Sequence, residues 1–284
     1  MKQSELLTDK DKSRLLKLEK TATLSKVPNL IKIGDIKGDL HVHTNINYPT
    51  SHDMGASSLA EIFNQARQFK YSYIGLTDHN PKVSNMTTRS REIALKKRKS
   101  TLLKQYEEYK KRVKVEVPKL LIGLEIDIRP DGSLALEDKL VNTLDYAIAS
   151  IHSDHDLSSE DNTKRIVRVL SHPKVMILGH PTGRMIDRRP GIQINWDEVF
   201  AFCAKQNKFL EINSYPTRLD LPQDLIKKAL KHKAKFVINT DTHDVDQIEN
   251  IRYGVWHARC AGLEKKHVLN TLDYSSLRHM INLV

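Results

Sequence analysis

From Ile36 onward the chain alternates short apolar, β-rich runs with longer amphipathic stretches. After the segment GDLHVHT, apolar runs cover residues 73–77, 120–128, 146–151, 175–179, 209–213 and 235–240, each too short for a typical helix. Between them the spacing predicts a helix opening at Ser57 and Ser58 and running to about 70, then helices over 88–115, 163–170, 195–206 and 222–231. Glu61 follows Ser58 as the acid of a capping box does, and Asn195 stands where an N-cap would. Residues 245–262 and those from 264 on complete the pattern as helices and turns. Strands alternating with helices make parallel βαβ units, and seven in succession predict an α/β fold, a TIM-like (β/α)7 barrel. Residues 1–30 lie outside this alternation. They are charged, with Leu15, Leu16 and Leu18 spaced for a short amphipathic helix that Pro28 ends, and read as a linker or flap before one domain over 31–284.

The chemistry lies at the ends of the apolar runs. They deliver His41 and His43, His79, Glu125, His152, His180, Glu211 or Asn213, and Asp241 with His243. One histidine at a strand end is an ordinary turn or core residue. The same placement in unit after unit is not, because strand ends otherwise favour Gly, Ser, Asn and apolar residues. Side chains two apart on a strand share a face, so His41 and His43 can grip one ion, and Asp241 with His243 repeats the spacing. Imidazoles mixed with carboxylates suit Zn, Mn or Fe better than Mg, and so many ligands imply roughly two or three divalent ions. Such clusters activate water and clamp the attacking and leaving oxygens of phosphoryl transfer, so a phosphoester hydrolase is the expected class. Arg184 and Arg218 follow the fifth and sixth strand ends, where a forked guanidinium can hold a substrate phosphate, with Asn213 assisting. Arg188 and Arg189 are expected to be solvated or to track a nucleic-acid backbone. The GxSxG, P-loop and GxGxxG patterns are absent, which argues against serine hydrolase, nucleotide-kinase and dinucleotide chemistry.

A net charge of +11 and a pI near 9.4 favour polyanionic partners, nucleic acid or phosphorylated molecules. Much of the excess lies in 89–119, with KKRKS and YKKRVK, read either as a solvated helix face or as a surface tracking DNA or RNA. Hydrophobic residues make up 39% and charged residues 29%, which fits a soluble protein, and no apolar run approaches the roughly 20 residues that span a bilayer. MKQSELLTDKDK lacks the apolar centre of a signal peptide, so a cytoplasmic location without membrane partners is expected. Cys203 and Cys260 have no CxxC spacing and are expected to be reduced, structural thiols.

In order along the chain, GDLHVHT, TDHNP, GLEIDI, ASIHS, LGHPTGR and NTDTHD resemble the motifs of the polymerase and histidinol phosphatase (PHP) superfamily. VPNLIKIGDIKGDLHVHT, LEINSYPTRLDLP and NIRYGVWHARCAGLEKKHVLNTL resemble the C-terminal PHP domain of bacterial and archaeal family X DNA polymerases, from about residue 27 to the end. The resemblance implies a distorted seven-stranded barrel, a trinuclear Mn, Zn or Fe centre, and 3′-5′ exonuclease or 3′-end-processing activity. It implies that His41, His43, Glu125 and Asp241 hold a first ion. His79, a bridging Glu125 and His152 would hold a second, and His180 with His243 a third. Another third-site ligand is implied six residues after the second histidine of the first motif. Here the chain departs, with the insertion NINYPTSHDMGASS offering Asp53, whose DMG wording fits better, or His52. Asp39 and Asp78 are expected to orient imidazoles. The remaining histidines are expected to be nonfunctional, His155 being the one to watch for its place beside His152.

The expected function is therefore phosphoester hydrolysis by a metal-activated water, most directly at the 3′ ends of DNA. The alternatives are a small phosphomonoesterase of histidinol-phosphatase type and a noncatalytic polymerase-associated module. About 30 residues before the barrel leave no room for a nucleotidyl-transfer domain, so polymerase activity is not expected.

Overall fold

The computed structural model describes residues 7–24, 29–281 and 283; Pro28, expected to end the first helix, lies outside them. The strand segments are β1 (Gly38–Val42), β2 (Tyr73–Leu76), β3 (Lys119–Ile122), β4 (Leu124–Asp127), β5 (Ala147–Ser150), β6 (Val175–Leu178), β7 (Phe209–Asn213) and β8 (Lys235–Asn239). The helices are α1 (Asp9–Leu24), α2 (Leu59–Gln68), α3 (Thr88–Arg112), α4 (Asp138–Val141), α5 (Ser159–Leu170), α6 (Trp196–Gln206), α7 (Gln223–Lys231), α8 (Ile251–Cys260) and α9 (Tyr274–Met280). Most strand residues are buried on both faces, which is why the runs read as nearly continuous apolar segments.

All strand pairings are parallel, in the orders β1-β2-β3 and β4-β5-β6-β7-β8. β3 and β4 are the halves of the single strand expected over 120–128, parted at Gly123. A Cβ there would lie 2.9 Å from Tyr146 O and 3.0 Å from Thr77 Cγ2, so only glycine passes. The two sheets join on both sides. A bridge between His79 and Glu125 links β2 to β4, and one between Val42 and Thr242 links β1 to the end of β8. The result is the expected seven-stranded (β/α) barrel, distorted at these joints.

Side chains stitch the β1–β8 seam where the ladder is short. Asn270 Nδ2 donates to Gly38 O (2.8 Å) and Ile238 O (2.6 Å), and its oxygen accepts from Ile238 N. Asn239 Oδ1 accepts from Leu40 N (3.1 Å). The barrel interior packs Leu40, Tyr73, Tyr146, Ile148, Ile177 and Phe209, and Leu277 of α9 closes its lower end. The C-terminal rim stays open.

Local signals account for most helix starts. Ser58 and Glu61 form the expected capping box, and Ser158 caps α5, which begins at Ser159, four residues before the predicted start. Asn195 occupies the N-cap of α6 without a side-chain cap, because its amide turns to Glu198 (3.3 Å). Cys203 and Cys260 are free thiols. Among the described residues no helix is long and apolar enough to cross a membrane.

The helix expected within 1–30 is present as α1, but it lies against the barrel. Leu15 and Leu18 are buried with Leu219, beside Tyr253 and Trp256 of α8, whereas Leu16 faces solvent. His257 of α8 is buried and lies 2.9 Å from Leu221 O through Nε2, with Gln223 on the other ring nitrogen. Burial pushes its pKa down to about 4. A histidine depressed in the fold stabilises fully above its unfolded pKa, and that contribution is lost as pH falls through about 4. We expect about 3 kcal/mol of stability to disappear over this window. Urea unfolding of His257→Gln at pH 7 and pH 4 should show a correspondingly smaller pH dependence; an unchanged dependence would refute the assignment.

Candidate metal centre

The site grows from strand ends. The two-residue period of β1 turns His41 and His43 to one side. His41 Nε2 lies 3.3 Å from Glu125 Oε2 and 3.4 Å from Asp241 Oδ1, and His43 Nε2 lies 3.6 and 3.3 Å from the same oxygens. These four buried side chains place ligand atoms within 4.8 Å of one another, the set expected for a first ion. Glu125 is the hub. Its Oε2 is also 3.0 Å from His79 Nδ1, while Oε1 is 3.0 Å from His180 Nε2 and 3.3 Å from His152 Nε2.

The second expected set, His79, Glu125 and His152, also comes together. The third is rearranged. His180 joins His152 on Glu125 Oε1 rather than pairing with His243. His243 stacks on His43, with ring centroids 4.0 Å apart, and groups with His43 and His79. Asp241 adopts φ 57°, outside the strand conformation that the D-x-H spacing assumed, yet its Oδ1 still lies 3.8 Å from His243 Nδ1.

The insertion places His52 and Asp53, the two expected third-site candidates, on the same cavity with different neighbours. Ser51 N donates to Asn80 O (2.8 Å) and Ala56 N to His243 O (2.6 Å), so the loop is sewn across the rim. A Cβ on Gly55 would stand 2.4 Å from His43 O, which makes glycine obligatory at this approach. Asp53 then faces the third group, 3.6 Å from both His79 Nε2 and His243 Nε2. His52 packs its ring 4.9 Å from that of His79 but directs Nε2 to Asp127 Oδ1, 2.9 Å away. The same oxygen lies 2.7 Å from His152 Nδ1.

The residues fit divalent metal ions. Among the described residues, His41 Nε2, both nitrogens of His43, His79 Nδ1, Glu125 Oε2, His180 Nδ1 and His243 Nε2 are buried without hydrogen-bond partners. Orphaned polar atoms of this kind are costly unless something fills them. Burial alone would raise Glu125 and Asp241, but His41 and the neighbouring imidazoles outweigh it and hold both carboxyls well below their usual range. Burial, reinforced by His243 and His79, holds His43 well below the usual histidine value, and burial with Arg218 lowers His180. Against burial, Glu211 with Asp241 and Glu125 holds His41 well above the usual histidine value, and Glu125 raises His79 and His152, so cations binding here would displace protons from these three rings. His180 (φ 25°) and Asp241 also sit in the left-handed region, strain of the sort that collects at functional sites.

Two carboxylates that the sequence reading left unassigned orient the rings. Glu211 Oε1 is 2.7 Å from His41 Nδ1 and 2.9 Å from Asn239 Nδ2, while Oε2 accepts from His180 N (2.7 Å). Asp127 does the same for His152. The signal was available: Asp127 follows Glu125, and Asn213 follows Glu211, at the spacing that singled out His41 and His43. Asp39 and Asp78, expected in this role, hold backbone instead. Asp39 accepts from His41 N and from the amide and hydroxyl of Thr240, and Asp78 accepts from the amide and hydroxyl of Thr44 and from Arg98 Nε.

The expected substrate contacts divide. Arg218 lines a cavity of about 310 Å³ with the ligand cluster, Met185, Tyr215 and Gln247. Its Nε lies 3.7 Å from Asp241 Oδ2, and its buried Nη1 has no hydrogen-bond partner among the described residues. Arg184 does not line this cavity: its guanidinium donates to the carbonyls of Arg218 and Leu219. Asn213 is likewise committed, donating to Glu211 (3.2 Å) and Asp241 (3.1 Å). Arg189 is bound to Gly183 O rather than solvated, and His155 joins none of the ligand groups.

A parallel barrel that gathers imidazoles and carboxylates on its C-terminal rim defines the class of metal-dependent hydrolases. The model of the PHP domain family matches residues 39–215, and the chain belongs to that family. It is 36% identical over 254 residues to the DNA polymerase/3′-5′ exonuclease PolX of Bacillus subtilis, covering 89% of this chain and 42% of that protein. The chain thus spans less than half of that relative. It is 28% identical over 223 residues to a protein of Clostridium acetobutylicum named probable phosphatase, covering 72% and 78% of the two chains. Among solved structures, the histidinol phosphate phosphatase of Lactococcus lactis, complexed with zinc, L-histidinol and phosphate, aligns with a TM-score of 0.49 at 17% identity, over 78% of this chain and 93% of that one. The protein is a metal-dependent hydrolase of phosphoester bonds.

Proposed function

We propose that this phosphoesterase processes the 3′ ends of DNA, as a 3′-5′ exonuclease, with roughly two or three Mn, Zn or Fe ions. His41, His43, Glu125 and Asp241 would hold one ion, Glu125 with His152 and His180 a second, and Asp53, His79 and His243 a third. When bound, such ions supply Lewis acidity to the phosphoryl oxygens and to the attacking water. The protein's own part is placement. Glu211 and Asp127 fix the faces of His41 and His152, and the insertion carrying Asp53 walls one side of the cavity. Arg218 offers a charged N–H without a partner to a non-bridging phosphate oxygen.

The observation that carries this reading is the buried Arg218 Nη1, without a hydrogen-bond partner among the described residues and beside the ligand cluster, in a chain of net charge +11. Resemblance to an exonuclease-named relative supports the DNA substrate. The test compares 3′-labelled single-stranded DNA with histidinol phosphate on metal-loaded protein at two salt concentrations. Trimming of DNA at a rate that falls steeply with salt is expected. Turnover of the small phosphate alone, indifferent to salt, would replace this reading with a phosphomonoesterase.

A further inference from the structure

Arg218 is aimed from the loop between β7 and α7, and that loop does not hold itself. Leu219 sits at φ 40°, a left-handed conformation that a branched side chain adopts only under external constraint. From within the barrel, Arg184 Nε donates to Arg218 O (2.9 Å) and its Nη2 to Leu219 O. From outside, Arg14 of α1 donates through Nη2 to Pro216 O (2.8 Å). Arg14 is set by Asp11 Oδ1 (2.5 Å), and Leu15 and Leu18 bury Leu219 in a small cluster separate from the main core. α1 grips the adjacent loop too, through Lys10 on Asp187 (3.0 Å), and that loop bonds back by Ile186 N to Thr217 O (2.7 Å). Carbonyls on both sides of Arg218 are therefore each taken by a guanidinium.

We propose that Arg14 is a positioning residue for Arg218: α1, outside the stretch the family model matches, clamps the loop so that the Arg218 guanidinium stays directed into the metal cavity. This rests on reading Arg218 as a phosphate contact. Shared guanidinium-to-carbonyl bonds narrow the loop's accessible conformations, so the unpartnered N–H waits at the phosphate position instead of being ordered on binding.

The test uses the full, metal-loaded chain as Arg14→Ala, Arg14→Lys, Arg218→Ala and the double alanine variant. It reads hydrogen exchange over 214–221 and the dissociation constant of inorganic phosphate. In Arg14→Ala, exchange of this loop should quicken about tenfold, with the barrel strands unchanged. Phosphate affinity should fall about five- to tenfold, with kcat within about twofold, and lysine should restore part of it. Added to Arg218→Ala, the Arg14 change should cost nothing further. Unchanged loop exchange, or the same loss of affinity with and without Arg218, overturns the proposal. Wild-type phosphate affinity in Arg218→Ala overturns the phosphate contact itself, and with it any positioning role, whatever the exchange shows.

Discussion

Replacing Glu125 with glutamine should lower phosphoester hydrolysis by about three orders of magnitude or more while leaving the barrel folded. The amide keeps the volume of the carboxylate in a site only 1% exposed, so packing is preserved. The charge and one acceptor are lost. Oε2 faces His41, His43 and His79, and Oε1 faces His152 and His180, so one substitution touches every proposed metal set that shares this residue. An amide NH₂ turned toward any of these nitrogens also presents hydrogens where a cation needs lone pairs. Steady-state hydrolysis, with circular dichroism as the folding control, reads the effect. A rate within tenfold of wild type would remove Glu125 from the centre of the site.

Arg98→Ala is the second large effect, and it falls on stability. Arg98 belongs to the basic KKRKS run, yet its side chain is 1% exposed. It donates from Nε to Asp78 Oδ2 (2.7 Å), from Nη1 to Gly123 O (3.0 Å) and from Nη2 to Leu76 O (3.0 Å). These acceptors lie where β2 meets the break between β3 and β4. Alanine leaves a buried carboxylate without its counter-charge, removes the guanidinium donor from Gly123 O, and leaves Leu76 O with the Gly123 amide alone, which should cost about 3–5 kcal/mol. Urea unfolding at neutral pH measures it. A loss below about 1 kcal/mol would mean that water replaces the guanidinium at no cost, contrary to its burial.

The β/α alternation and the strand-end ligands were legible because both follow from local rules. A strand buried on both faces must be apolar, and side chains two apart must share a face. What escaped depends on distance in sequence. Gly123, where the third strand divides, is hemmed in by Tyr146 and Thr77, and nothing in LIGLEIDI announces those neighbours. His180 was paired with His243, but His180 reaches Glu125 Oε1 beside His152, whereas His243 lies beside Asp53, and neither neighbour is close in sequence. Arg184 looked like a phosphate ligand from its place after a strand, and only the fold shows its forks filled by carbonyls 34 and 35 residues onward. α1 looked like a linker for the same reason: the residue that Leu15 and Leu18 bury, Leu219, lies at the other end of the chain. Glu211 and Asp127 are a different case, since their spacing was visible and their role was missed.

The central claim is that strand-end imidazoles and carboxylates form a multinuclear centre sharing Glu125. Metal titration of the stripped protein, wild type beside Glu125→Gln, with bound metal quantified and hydrolysis followed at each step, tests it most directly. Expected are roughly two to three divalent ions per wild-type chain, hydrolysis returning as they bind, and at least one ion fewer in the variant. Full hydrolysis by wild-type chains holding one ion or none, or an undiminished metal count in Glu125→Gln, would contradict it.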